Sequence, residues 1–343
     1  MDPGTEPSRA HEADVELTIK GSWAESPLTL WVLAAVALLV FAIAGAFAVR
    51  GALRSSSEPE FRDPSPGAPA FVAALGEQDP DSRVHIAGSG SNLSLTRRLV
   101  DAYLEAHPVG RSGRPAQLVV FESIGSTGGV KATHDGVIDL GLISRPLRPR
   151  ERELGLLTIP YARVAVVAAV NVTVPDRSLR TAELIEIYGG ARRTWSDGSR
   201  IVVLQRERGD SSHEAFGRVH PAFTAANDEA YQRGLWRVVY RDSAMQEALM
   251  STPRAIGLFD AGVVTSERLH SIELLAIDGV APSPENMSNG SYPYFKDLAF
   301  ISAGPPRGLA ADFVDFVASP AGRAIIRANG YATLPEQGPE GAP

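Results

Sequence analysis

The sequence predicts an α/β fold with parallel sheets, preceded by one N-terminal transmembrane helix. Between residues 82 and 335, short apolar runs typical of strands alternate with segments of helical periodicity, and such alternation indicates strand–helix–strand units. Ahead of that region, residues 28–49 (LTLWVLAAVALLVFAIAGAFAV) contain no charged residue. A bilayer core about 30 Å thick requires roughly 20 such residues in a helix, so this segment is predicted to cross a membrane.

The segments around the predicted span have the composition of tails and linkers. Residues 1–27 are acidic, unlike the short basic leader of a cleaved signal peptide, so the span is predicted to be a retained anchor. Residues 50–81 are rich in Ser, Pro, Glu and Gly, and such a segment cannot bury enough apolar surface to fold alone. The folded region is therefore predicted at 82–335, followed by a disordered tail at 336–343.

Charges beside the span indicate its orientation only weakly. Lys20 precedes the span, whereas Arg50, Arg54 and Arg62 follow it. The positive-inside rule would then place the C-terminal bulk in the cytoplasm, but large domains translocate largely regardless of charge. Both orientations stay open on this evidence.

Composition excludes several classes of protein. The net charge of −7 (33 Lys+Arg, 40 Asp+Glu) is too acidic for a dedicated nucleic-acid binder. The absence of cysteine excludes disulfides, thiolate catalysis and Cys-ligated zinc. The histidines show neither H-x-x-x-H nor H-E-x-x-H spacing, and the sequence lacks a P-loop, a dinucleotide fingerprint and a nucleophile elbow. No catalytic residue, metal or other cofactor is expected.

Periodicity predicts the elements of the folded region in order. Strands are expected at 84–87, 117–121 and 138–143, with a helix at 94–107 and a short helix ending at Gly136. A long β-branched run at 163–170 is expected to form a further strand. The second half is expected to contain strands at 201–204, 256–259 and 298–301, and helices at 181–188, after Ser211, at 244–250 and at 309–329, the last broken at Pro320.

Turns rich in small, hydroxyl or basic residues follow four of these strands. Their sequences are GSGSN (88–92), GSTGG (125–129), SR (144–145) and RERGDSS (206–212). Ligands of open α/β sheets bind beyond the carboxyl ends of strands, where helix N-termini offer unpaired N–H groups and a positive dipole end. The pattern predicts a pocket for a small tetrahedral oxyanion.

Each turn also has a purely structural interpretation. Ser and Asn are preferred helix N-caps, and residues 211–214 (SSHE) match the capping box in which Ser211 would serve its own helix. Arg206 would then be a solvated surface charge. Only the combination of the four turns favours a binding site.

Eight motifs resemble, in order, the PstS-like (phosphate-binding-protein-like) branch of the type II periplasmic substrate-binding proteins of ABC transporters. They are IAGSGSNL (86–93), ESIGSTGGVKAT (122–133), DLGLISRPL (139–147), IPYARVAVVAAVN (159–171), ELIEIYGGARRTW (183–195), AIGLFDAG (255–262), NGSYPYFKDLAFIS (289–302) and FVDFVASPAGRAIIRANGYATL (313–334). The resemblance implies a two-lobed fold with two crossover strands near 165–171 and 294–301. It puts one lobe at about 84–165 plus 300–334 and the other at about 170–292.

The resemblance also implies the ligand-binding residues. They are Ser91 and Asn92 in the first loop, Ser126, Thr127 and Gly128 in the second, Ser144 and Arg145 in the third, and Arg206, Asp210, Ser211 and Ser212 in the fourth. Two positions depart from the family. In the family, the position of Ser144 is an aspartate that accepts a hydrogen bond from protonated phosphate, and the position of Asp210 is usually serine. Asp210 would either take over as the acceptor or pair with Arg145 and close the site.

The predicted span and the resemblance together indicate a membrane-anchored solute-binding protein, which would bind phosphate or a similar oxyanion for an ABC transporter permease. By resemblance, its binding domain would lie on the periplasmic or extracellular side of the inner membrane. The alternative is an anchored oxyanion sensor or adaptor with no transport role and a degenerate site. No nucleic-acid partner is expected.

Overall fold

The computed structural model describes residues 79–334. The predicted acidic tail, the predicted span at 28–49, the linker up to residue 78 and the C-terminal tail lie outside the described residues. Within residues 79–334, no helix is both long and apolar enough to cross a membrane.

The first lobe alternates strands and helices as predicted. Its elements are β1 (Arg83–Gly88), α1 (Gly90–Ala106), β2 (Gln117–Val120), α2 (Gly125–His134), β3 (Leu140–Ile143) and α3 (Pro149–Arg152). The helix expected at 94–107 begins four residues earlier, at Gly90, so Ser91 and Asn92 lie in its first turn rather than in a loop. This difference decides where both side chains lie.

A long strand, β4 (Leu157–Asn171), carries the chain into the second lobe. That lobe contains β5 (Ser178–Leu179), α4 (Thr181–Gly189), β6 (Val202–Arg206), α5 (Ser211–Val219), α6 (Pro221–Gln232), β7 (Arg237–Val239), α7 (Asp242–Ser251), β8 (Ala255–Asp260), α8 (Ala261–Ser266), β9 (Ile272–Leu274), β10 (Ala276–Ile277) and α9 (Pro284–Ser288). The chain returns through β11 (Phe295–Ser302) to α10 (Gly308–Ala318), α11 (Pro320–Ala328) and β12 (Ala332–Thr333). The break predicted at Pro320 is confirmed, because Ser319 caps α11 there.

Strand order explains how two lobes form one body. The order is β2-β1-β3-β11-β4-β8-β6-β7. In the first lobe β1 runs parallel to β2 and β3, and in the second β6 runs parallel to β7 and β8. The crossover strand β4 pairs antiparallel with β11 over its first part and with β8 over its second. The sheets are therefore mixed, and only their outer strands are parallel.

Each lobe has its own apolar core, and the crossover strand contributes to both. The core of the first lobe includes Leu95, Leu99 and Phe300, and that of the second includes Tyr188 and Phe216. Along β4, residues 164–170 are each at most 1% exposed. A strand covered on both faces needs no polar alternation, which accounts for the unbroken run of Val and Ala. The cores hold β1 and β6 so that the helices following them begin at a common cleft.

Candidate functional site

A cavity of about 230 Å³ lies between the two lobes. Its wall consists of Ser89, Gly90, Ser91, Gly125, Ser126, Thr127, Arg145 and Arg148 from the first lobe and Arg206, Glu207, Arg208, Gly209, Asp210, Ser211 and Asp242 from the second. All four predicted turns therefore meet at one place. Seven predicted residues line the wall: Ser91, Ser126, Thr127, Arg145, Arg206, Asp210 and Ser211. The other four, Asn92, Gly128, Ser144 and Ser212, are not part of it.

Two helix N-termini open into the cavity without a side-chain cap. The residues at the N-cap positions of α1 and α2 are Ser89 and Ile124, and neither side chain accepts a hydrogen bond from its helix. Gly125 N–H donates to Ser123 Oγ (3.3 Å) and Asn92 N–H to the carbonyl oxygen of Ser89 (3.2 Å). The N–H groups of Gly90 and Ser91 in α1 and of Ser126 and Thr127 in α2 remain available to an acceptor, and the positive ends of both helix dipoles lie at the wall. This is the arrangement in which backbone amides bind anions.

The third helix N-terminus is capped, and not by the residue that the sequence predicted. Asp210 Oδ1 accepts hydrogen bonds from the N–H groups of Ser212 (3.0 Å) and His213 (3.1 Å). Ser211 is the first helical residue of α5, so the predicted capping box with Ser211 as N-cap is wrong. The hydroxyl of Ser211 is left to line the cavity.

Serine hydroxyls link the lobes beneath the wall. Ser144 Oγ lies 2.8 Å from Ser89 Oγ and 3.0 Å from Ser211 Oγ. The N–H of Ser144 donates to Ser126 Oγ at 3.3 Å. Ser144 is 1% exposed, so it contacts the hydroxyls of lining residues rather than the cavity itself.

Asn92 and Ser212 also lie behind the wall. Asn92 Nδ2 donates to the carbonyl oxygen of Ile143 (3.2 Å) and to Tyr161 Oη (3.0 Å), so its side chain holds α1 to the sheet. Burial raises the pKa of Tyr161 to about 12, which keeps that hydroxyl neutral. Ser212 Oγ accepts from Lys296 Nζ at 3.1 Å. Because Asn92 Nδ2 donates to these groups behind the wall, Asn92 does not face the cavity as a ligand-binding residue would.

Arg145 is buried and paired within its own lobe. It donates to both carboxylate oxygens of Glu151 (2.7 and 2.8 Å), to Thr127 Oγ1 (2.9 Å) and to the carbonyl oxygen of Pro146 (3.0 Å). The hydrogen bond from Arg145 outweighs burial and lowers the pKa of Glu151. A guanidinium has five N–H donors, so the Nε–H group of Arg145 remains. The alternative in which Asp210 pairs with Arg145 is not what the structure shows.

Three carboxylates surround Arg206. Its Nε and Nη2 donate to Glu207 (2.8 and 3.0 Å), and its Nη1 donates to Asp242 Oδ1 at 2.7 Å. Asp210 Oδ2 lies 3.4 Å from the same Nη1. Burial alone would lower the pKa of Arg206, but the charges of Asp210 and Asp242 outweigh it and raise that pKa. Arg206 therefore stays charged. Three of its five N–H groups donate to Glu207 and Asp242 and its Nη1 also pairs with Asp210, which leaves one N–H group of Nη2 for a ligand.

The same charges act on Asp210. Burial alone would raise the pKa of this carboxyl, but the hydrogen bond from His213 and the charges of Arg206 and Lys296 outweigh burial and lower it. Asp210 is therefore an ionised group whose oxygens are directed at N–H donors.

Sequence reasoning missed Ser89, Glu207, Asp242 and the buried pair Lys296–Asp260. Glu207 was adjacent to a predicted ligand, and Ser89 was part of a quoted turn, so the sequence contained a signal for both. Nothing local marked Asp242, Asp260 or Lys296, which come from three other elements. Within residues 79–334, no group of three or more His, Asp or Glu side chains could hold a metal ion.

The fold and the cleft have counterparts among known proteins. The family model of the PBP superfamily domain matches residues 74–321. The chain belongs to the PBP superfamily. Among its relatives, the phosphate-binding protein PstS of Bacillus subtilis (strain 168) is 23% identical over 273 residues, which cover 76% of this chain and 83% of that protein.

Solved structures show the same fold. A protein from Clostridium perfringens solved with bound phosphate has a TM-score of 0.63 and 22% identity, covering 74% of this chain and 100% of that chain. An ABC-type phosphate transport receptor from Vibrio cholerae has a TM-score of 0.53 and 21% identity, with coverage of 74% and 100%. The predicted PstS-like branch of the PBP superfamily is confirmed, as is the two-lobed fold. The superfamily domain is a binding module rather than an enzyme, in agreement with the expected absence of catalysis.

The lowered pKa of Asp210 predicts a pH dependence of stability that Asp210→Asn should lack. A carboxyl whose pKa lies below its ordinary value of 3.8 stabilises the fold above that value, and this contribution is lost as the pH falls through the folded pKa. We expect the variant to be about 1–3 kcal/mol less stable than the parent at pH 7. The difference should shrink below pH 3.8. Urea unfolding over a series of pH values measures it.

Asp228→Asn is the matched control for this prediction. Asp228 also faces an arginine, Arg208, at 3.3 Å, but both side chains are about half exposed. Its removal should change neither the stability at pH 7 nor the pH profile appreciably. A stability difference for Asp210→Asn that is constant with pH would contradict the assigned role of the charge.

Proposed function

We propose that the protein binds phosphate, or a similar tetrahedral oxyanion, in the cleft between its lobes as the substrate-binding component of an ABC-type uptake system. The observation that carries the proposal is the convergence of donors from both lobes on one cavity. The residues that line it include the first residues of α1 and α2, the hydroxyl-bearing residues Ser91, Ser126 and Ser211, and the two arginines Arg145 and Arg206.

The number of donors is sufficient for a useful affinity. A micromolar dissociation constant corresponds to about −8 kcal/mol, and a hydrogen bond to a charged group contributes roughly 1.5–3 kcal/mol. Four or five such bonds would supply this free energy even after the loss of translational and rotational freedom on association is subtracted. A single guanidinium would not supply this free energy, and that of Arg206 is already bound to three carboxylates.

The carboxylates at the wall favour a ligand that carries a proton. Glu207 accepts from Arg206 with both oxygens, and Asp210 is directed at N–H donors. Asp242 differs, since its Oδ1 accepts from Arg206 while its Oδ2 receives no hydrogen bond from residues 79–334. That Oδ2 lies against the Cα of Gly90 in the opposite lobe, where even a methyl group would overlap it. We assign to Asp242, rather than Asp210, the role of accepting a hydrogen bond from the protonated anion.

Charge then discriminates between anions. An ionised carboxylate can only accept hydrogen bonds, so it repels an anion unless that anion donates a proton. Hydrogen phosphate carries such a proton at neutral pH and sulfate does not. Asp242 is therefore expected to favour phosphate without a carboxylate at the position of Ser144.

The proposal includes attachment to the inner membrane through residues 28–49, with the binding domain on the periplasmic or extracellular side. The apolar run supports the anchor. Uptake requires that the binding domain meet its solute outside the membrane, which supports the orientation against the weak charge bias. The permease would be the partner.

An anchored sensor or adaptor with a degenerate site is the second candidate. The observation that favours it is the pairing of every lining arginine with a carboxylate: Arg145 with Glu151, Arg148 with Glu214, Arg206 with Glu207 and Asp242, and Arg208 with Asp228. Such pairs could stabilise a closed cleft that takes up no anion.

Calorimetric titration separates the two candidates. We expect the full-length protein to bind inorganic phosphate with a micromolar or lower dissociation constant and Ser126→Ala to bind about tenfold more weakly, because one donor to a charged group is removed. Ser112→Ala, on an exposed loop, is the control and should bind like the parent. A parent protein that binds no phosphate, sulfate or related oxyanion would reject transport in favour of the adaptor.

The role of Asp242 is tested by selectivity rather than by affinity. We expect Asp242→Asn to lower the ratio of phosphate to sulfate affinity by about tenfold, since the neutral amide no longer repels sulfate. Asp210→Asn is the comparison: it should weaken binding of both anions and leave the ratio near that of the parent. Competition titrations at pH 7 measure the ratio. A ratio changed only in Asp210→Asn would assign the role to Asp210.

Orientation is tested by protease added to cells whose outer envelope has been permeabilised. The folded region should be digested while a cytoplasmic marker protein remains intact. Protection of the folded region together with the marker would place it in the cytoplasm, as the basic residues after the span suggest, and would make uptake untenable.

A further inference from the structure

A lysine lies buried where the two lobes join. Lys296 is the second residue of β11, one of the two strands that cross between the lobes. Its side chain is only 1% exposed. Burying an ammonium group costs several kcal/mol unless it is paired and hydrogen-bonded, so this position needs an explanation.

The ammonium of Lys296 contacts groups from both lobes. Its Nζ lies 2.7 Å from Ser91 Oγ in the first turn of α1, and 3.1 Å from Ser212 Oγ in the first turn of α5. Ser211 Oγ is also near, at 3.4 Å. Because an ammonium can only donate hydrogen bonds, each of these hydroxyls accepts from it. The N-termini of two helices that open on the cavity are thus held by one cation beneath them.

Asp260, the last residue of β8, balances the charge. Its Oδ1 lies 2.6 Å from Lys296 Nζ, and its side chain is 3% exposed. Replacing a buried ion pair by neutral side chains of similar size is often neutral or even stabilising. The pair is therefore poorly explained by stability alone, whereas its position under the wall suggests a role in binding.

We propose that Lys296 is a positioning residue of the anion site: it fixes Ser91 of the first lobe and the start of α5 in the second at the separation that a shared ligand requires. Lys296 does not line the cavity, so it acts through these hydroxyls. Hydrogen bonds weaken steeply with misalignment, and a small shift between the two helix starts would impair donors from both lobes together. This inference rests on the proposed function.

The test removes both charges at once, since Lys296→Met alone would leave Asp260 buried without a partner. We expect Lys296→Met/Asp260→Asn to unfold at a urea concentration close to that of the full-length parent, yet to bind inorganic phosphate at least about tenfold more weakly. If the pair had a purely structural role, the double variant would lose phosphate affinity only to the extent that it lost stability. Parent-like affinity in the folded double variant would overturn the proposal.

A matched control lies on the two crossover strands, β4 and β11. Arg163 on β4 and Asp297 on β11 form a partly exposed ion pair, with Nε 2.6 Å from Oδ1. Asp297 directly follows Lys296 and therefore points to the opposite face of the strand. Arg163→Met/Asp297→Asn should leave the affinity for phosphate unchanged. An equal loss in this control would show that any disturbance of the crossover acts in the same way, and would overturn a specific role for Lys296.

Ser212→Ala decides the matter if the double variant does not fold. Ser212 is 3% exposed and does not line the cavity, so its hydroxyl contributes through Lys296. We expect phosphate binding to weaken by about three- to tenfold with little change in the urea midpoint. Parent-like affinity in Ser212→Ala would overturn the proposal. If the parent itself binds no oxyanion, the proposed function fails and this inference fails with it, whereas a binding parent with parent-like variants rejects Lys296 alone.

Discussion

A buried cation requires a partner, and three buried cations at or beneath the wall of the cleft each have one. Arg145 meets Glu151 at 2.7 Å, Arg206 meets Asp242 at 2.7 Å, and Lys296 meets Asp260 at 2.6 Å. Because these charges are balanced before any ligand arrives, the wall offers little net positive charge. The donors that remain are mainly the dipoles of N–H groups and hydroxyls, which need no counter-charge of their own.

The topology is what brings these donors together. Both lobes place helices after parallel strands, and β4 and β11 carry the chain across so that the strand ends of one lobe face those of the other. Donors on loops alone would vary with loop motion, whereas the starts of α1, α2 and α5 are held by packed cores. The rigidity of the two cores is therefore a condition for a site built from backbone amides.

The same constraint shapes selectivity. A wall that combines amide donors with an unshared carboxylate oxygen at Asp242 suits an anion that both accepts and donates hydrogen bonds. Arg206, one of the ligand-binding residues that the resemblance implied, is held in place by three acids, so it contributes an N–H donor in a fixed position rather than an unbalanced charge. Beneath the wall, the charge of Lys296 is likewise balanced by a carboxylate, that of Asp260.

The α/β class, most element positions and the four turns could be predicted from the sequence, because hydrophobic periodicity and glycine- and serine-rich turns are properties of short segments. The sequence also identified seven of the lining residues. Which side chains face the cavity could not be predicted, since α1 begins four residues earlier than expected and this places Asn92 behind the wall. Tertiary structure likewise decided the ion pairs, because Asp242, Asp260 and Lys296 come from separate elements, and charge pairing at a distance leaves no local pattern in a sequence.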